Sequence, residues 1–118
     1  MTRVLVVDSN LDYARRVATV LSHHGCDLKV ELAWNLPLLR HRLSTATYDL
    51  VLADVMTSPS PSAFAEELSK LKTPVVVWSL LDGTDRLRDR LSGTTIMRKP
   101  IDPETICQEK CLADLVTA

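Results

Sequence analysis

The stretch "VLVVDSNLD", Val4 to Asp12, decides the fold. Four apolar residues, three of them valine, run up to a single carboxylate, Asp8, and then come Ser9 and Asn10. A run this short, apolar and β-branched reads as a strand buried on both faces, the kind found in parallel sheets covered by helices. An acid at its end lies where the chain leaves the core.

Working outward, the pattern alternates. In "LDYARRVATVLSHHG", Leu11, Ala14, Val17, Ala18 and Leu21 recur at helical spacing. Asn10 or Ser9 is available to cap that helix, and Gly25 to end it. "DLKVELA" is a second strand, placed near a sheet edge by Lys29 and Glu31. "NLPLLRHRLSTA" is a helix capped by Asn35, with Pro37 in a first turn that needs no N–H there. "YDLVLAD" is a third strand ending at Asp54. "SPSPSAFAEELSKL" starts as loop and becomes helix. "PVVVWS" is a fourth strand ending at Ser79, and "DGTDRLRDRLSG" a short helix. "TTIMRK" is a fifth strand ending at Lys99. "DPETICQEKCLADLV" is a last helix, with Asp102 at its cap and Pro103 behind it. Five β–α units in series make an α/β fold: a doubly wound, five-stranded parallel sheet.

Composition sets the outer bounds. With 118 residues the chain suits one domain, 1–118, large enough to bury a core without staples. A net charge of −1 offers no field for nucleic acid or anionic lipid, so neither is an expected partner. The cysteines, Cys26, Cys107 and Cys111, are odd in number, which fits a reducing cytoplasm better than a disulfide framework. No apolar run approaches the ~20 residues of a membrane span. Cys107 and Cys111 lie four apart on one helical face without further ligands nearby, so they read as core or interface residues. His23 and His24 read as solvated, and Trp34, just past a strand, as a partly exposed interaction candidate.

In such a sheet the functional residues gather beyond the carboxyl ends of the strands. Asp8, Asp54, Ser79 and Lys99 therefore converge on one rim. Two neighbouring carboxylates repel unless a cation sits between them, and Mg²⁺ prefers one or two carboxylates with water and phosphate. A lysine balances charge there, and a serine hydroxyl bonds a phosphoryl oxygen. The set suits a phosphoryl group, with a carboxylate as nucleophile. A lone strand-end Asp is often only a turn residue or cap, and that plainer reading stands beside the functional one.

These residues carry a resemblance. "VLVVDSN", "YDLVLADVM", "TPVVVWS" and "MRKPID" resemble, in order, the four motif segments of response-regulator receiver domains, the CheY-like fold. The resemblance spans essentially the whole chain. It implies strand order 2-1-3-4-5, Asp54 as phosphoacceptor, Ser79 as switch hydroxyl, Lys99 as phosphoryl and charge partner, and a cis Lys99–Pro100 peptide. It implies a sensor histidine kinase or phosphotransfer protein as phosphate source, an output protein or domain as target, and no enzyme activity beyond weak self-dephosphorylation.

The departures matter equally. The family usually has a second acid after the first; here Ser9 stands there. Mg²⁺ is then left with Asp8, Asp54 and the backbone carbonyl of Met56, and binding should be weak. Leu80 replaces a small residue beside the switch hydroxyl, and Ile96 an aromatic switch residue. These features favour an alternative, a pseudo-receiver acting as a phosphorylation-independent interaction module. In either case the surface from Asp82 to Val116, the last two helices and the fifth strand, is expected to be a partner or homodimer face. A flavodoxin-like nucleotide or flavin binder would share the topology, but "DSNLD" lacks a glycine-rich or Ser/Thr-rich phosphate cradle.

Overall fold

The computed structural model describes residues 2–24, 28–57, 59, 61–79 and 95–98. The elements follow in the order β1 (Thr2–Val7), α1 (Leu11–His24), β2 (Leu28–Ala33), α2 (Leu36–Thr45), β3 (Leu50–Asp54), a 3-10 turn (Val55–Thr57), α3 (Pro61–Ser69), β4 (Val75–Ser79) and β5 (Thr95–Arg98). The strands form one sheet in the order β2-β1-β3-β4-β5, with every pairing parallel, as expected.

The pleat sorts side chains onto two faces, and each face has its own core. Leu5, Val7, Val51, Ala53, Val75 and Val77 pack with Leu39 of α2 and Phe64, Ala65 and Leu68 of α3. Val4, Val6, Leu50, Leu52, Val76 and Trp78 pack with Tyr13, Ala14, Val17 and Leu21 of α1. Helices on both faces explain why the central strands are apolar without alternation. β3 is buried at every position, whereas β2 is buried only at Ala33, which fits its place at the edge.

Capping chemistry sets the helix starts. Asn10, rather than Ser9, caps α1: its side-chain oxygen accepts from the Tyr13 N–H at 3.2 Å. Asn35 caps α2 by accepting from the Leu38 N–H at 2.8 Å. Pro61 opens α3, where a proline removes no helical hydrogen bond. The buried stripe of α1 differs slightly from the sequence expectation. Tyr13 is buried along with Ala14, Val17 and Leu21, while Leu11 and Ala18 are only half-buried. A tyrosine in the first turn is ambiguous in sequence because its body is apolar and its tip polar. No helix among the described residues is long and apolar enough to cross a membrane. The expected fourth and fifth helices, and the cysteines, lie outside the described residues.

Candidate functional site

Register brings the two carboxylates together. Val7 lies opposite Ala53, so the next residues, Asp8 and Asp54, leave adjacent parallel strands at the same level. Neighbouring strands are about 4.8 Å apart, so the two backbones are held close. Val4 and Val6 face α1, and the alternation carries Asp8 to that face; Leu50 and Leu52 do the same for Asp54. Trp78 is the register partner of Asp54 on the other side. One row therefore runs Asp8, Asp54, Trp78 across three strand ends, with Tyr13 of α1 above it.

The plainer reading of the acids holds in part. The Asp8 carboxylate accepts from the Asn10 N–H at 2.9 Å, and that of Asp54 from the Met56 N–H at 2.8 Å. Each is a local turn bond two residues forward. A turn residue needs no burial, however, and these are 1% and 8% exposed. Burying two adjacent carboxylates is costly unless donors or a cation compensate both charges. Asp8 is also tied to the sheet, since its N–H donates to the Ala33 carbonyl at 2.9 Å. Thr57, buried in the 3-10 turn, places its hydroxyl 3.4 Å from the Val7 carbonyl and braces the turn against β1.

The remaining expected site residues divide. Ser79 ends β4 one residue past Trp78. Met56 lies in the turn after Asp54, with its side chain 51% exposed. Ile96 lies on β5 opposite Val77 and packs, partly buried, against the α2–α3 core. Ser9 is exposed at the rim, as is Trp34, at 43%. Lys99, Pro100 and Leu80 lie outside the described residues, and with them the cis peptide and most of the expected interface from 82 to 116.

The donor set fits a hard cation of modest affinity. Among the described residues no three His, Cys, Asp or Glu side chains converge. Asp8 and Asp54 would hold Mg²⁺ with backbone oxygen, such as the Met56 carbonyl, and water. Two residues without an expected role at the site also lie here. Tyr13 and Trp78 meet edge to face, ring centroids 6.3 Å apart. The only sequence signal was the spacing of Tyr13 from Asn10, three residues on from the cap.

No protein-family model matches the chain, and no curated protein matches it in sequence. Solved structures do. A two-component response regulator from Clostridium difficile aligns over 100% of both chains with TM-score 0.78 and 17% identity. The receiver domain of a Francisella response regulator aligns over 99% of this chain and 98% of its own, with TM-score 0.77 and 24% identity. A response regulator from Thermotoga maritima, solved in complex with Mg²⁺-BeF, aligns over 98% and 99%, with TM-score 0.79 and 19% identity. What these likenesses establish is architecture: the chain has the fold of the response-regulator receiver domains.

Proposed function

We propose that the chain is a receiver module of a two-component phosphorelay, with Asp54 as its phosphoacceptor. The observation that carries the reading is the pair Asp8 and Asp54, buried side by side at the strand ends of this fold. In the step itself, an Asp54 carboxylate oxygen attacks phosphorus of a phosphohistidine on a kinase or phosphotransfer protein. The P–N bond breaks as the P–O bond forms, and the departing imidazole takes a proton. Asp8, Asp54 and the Met56 carbonyl would hold Mg²⁺, which would supply charge neutralisation when bound. Ser79 and Lys99 serve as switch hydroxyl and charge partner. The protein is an acceptor rather than an enzyme, and its product is a changed surface for an output partner.

Two observations favour the second reading, a phosphorylation-independent interaction module. Ser9 adds no charge to the acid pair, and Ile96 is packed against the core by a stiff β-branched side chain. The experiment is intact mass after treatment with a small phosphodonor and Mg²⁺. One added phosphoryl group, absent in Asp54→Asn, supports the first reading. Its absence from the wild type at saturating Mg²⁺ supports the second.

A further inference from the structure

Tyr13 and Trp78 stand out once the acids are placed. Both are on the α1 face of the sheet, at the level of Asp8 and Asp54. Tyr13 is 7% exposed, and Trp78 is fully buried. Each carries one polar hydrogen. A buried phenol needs an acceptor for its O–H, and a buried indole N–H without one is a cost. Among the described residues the Trp78 indole N–H has no hydrogen-bond partner. Trp78, which carries this orphan donor, is the strand-register partner of Asp54, the residue that the proposed function makes the carrier of an anion.

We propose that Tyr13 and Trp78 form a donor wall of the acid site, receiving the oxygens of a tetrahedral anion carried on Asp54. The proposal rests on the reading of Asp54 as phosphoacceptor and adds two binding residues to it. Its logic follows from Ser9. One fewer acid means a weaker hold on Mg²⁺, so more of the anion's charge must be met by other groups. Neutral buried donors do this without adding a charge of their own.

The electrostatics agree. Burial pushes the Tyr13 phenol up, and the Asp8 and Asp54 carboxylates push it further, against a smaller opposing effect from Arg16. An ordinary phenol is protonated at neutral pH, so its O–H is a donor without any shift. The helix start fixes the phenol's place: Tyr13 N–H bonds Asn10, whose own N–H bonds Asp8. The ring also meets that of Trp78 edge to face.

The test uses beryllofluoride with Mg²⁺ on the full chain, the fluorines standing in for phosphoryl oxygens. Calorimetry compares the wild type, Tyr13→Phe and Asp54→Asn, while ¹H–¹⁵N spectra follow the Trp78 indole in the wild type. We expect binding in the wild type, none in Asp54→Asn, and affinity about tenfold weaker in Tyr13→Phe, the effect of one hydrogen bond to a charged group. The Trp78 indole proton should move downfield on binding while that of Trp34 stays. Mg²⁺ affinity alone should not fall in Tyr13→Phe, since the proposed role of the phenol is toward the anion's oxygens and not toward the cation. Equal beryllofluoride affinity in Tyr13→Phe, a parallel loss of Mg²⁺ affinity, or a stationary Trp78 indole overturns the proposal and leaves Asp54's role standing. No Asp54-dependent binding in the wild type overturns both.

Discussion

Two carboxylate sites in this protein use the same ingredients to opposite ends. At the strand ends on the α1 face, two acids share a buried corner with Tyr13. On the other face, Glu31 of the edge strand β2 sits opposite Leu5 and is surrounded by partners. Its oxygens accept from Arg3 at 2.7 Å and from the Tyr48 hydroxyl at 2.6 Å. Lys29 and Arg42 stand 3.6 Å away, and the Arg3 guanidinium lies 5.4 Å from the Tyr48 ring centre. Among the described residues, Arg3, Lys29 and Arg42 gather around the single acid Glu31, whereas at the strand ends two acids lie side by side. The first arrangement ties β1, β2, α2 and Tyr48 together and works as structure. The second brings two like charges to one level of the sheet, which suits a site for a cation or an anionic group more than a clasp.

The comparison breaks most readily on the sign of two neutral substitutions. Glu31→Gln should destabilise the fold by about 1–3 kcal/mol, because Arg3 and Tyr48 lose a charged acceptor. Asp54→Asn should stabilise it by about 1 kcal/mol, because one of two crowded like charges is gone. Urea titrations of both variants decide this. If both destabilise, the distinction between clasp and site is wrong.

Acid sharpens the same contrast. The hydrogen bonds from Tyr48 and Arg3 lower the Glu31 carboxyl from 4.5 to about 2. Its contribution is therefore whole above pH 4.5 and is lost as pH falls toward 2. Tyr48 behaves in mirror image. Burial, and then its bond to Glu31, raise the phenol from 10.0 to about 12, so its contribution holds below pH 10 and is lost as pH rises through 12. Stability measured against pH should fall more shallowly at both ends in Glu31→Gln. An unchanged acid limb would assign it to other carboxylates.

A third prediction acts on the acid pair. Ser9→Asp restores a third carboxylate at the rim and should strengthen Mg²⁺ binding about tenfold. Affinity that stays level would mean that Ser9 does not occupy the place of the missing ligand. The smallest effect compares caps. Asn35→Ala and Asn10→Ala should each cost about 1 kcal/mol of stability. Only Asn10→Ala should also change Mg²⁺ affinity, because Asn10 joins Asp8 to the start of α1. Equal Mg²⁺ affinity in both would reduce Asn10 to a helix cap.

Much of the fold was legible because its causes are local. "VLVVD" carries the burial of a central strand in its own composition, and Lys29 and Glu31 mark β2 as an edge. Asp8 and Asp54 were legible as a pair because parallel topology sends both to one rim. The cap of α1 was not settled, since Ser9 and Asn10 are both capping residues and only the backbone path chooses between them. The Glu31 clasp was invisible for a different reason. Its main bonds join residues 28 and 17 positions apart, so it exists only once the strand register and the α2 packing are set. Tyr13 was overlooked because a phenol in a first turn satisfies either an inward or an outward helical stripe.

The placement of the two tryptophans carries an experimental convenience. Trp34 is solvent-facing just past the end of β2, and Trp78 is sealed within the row of strand ends. The register of β2, β1, β3 and β4 sets one indole on each side of the carboxylate pair. Their emission should differ accordingly, red-shifted and open to aqueous quenchers for Trp34, blue-shifted and shielded for Trp78. Single Trp→Phe variants would then give two intrinsic optical probes, one reading the exposed end of the row that holds the acid pair and the other its buried end.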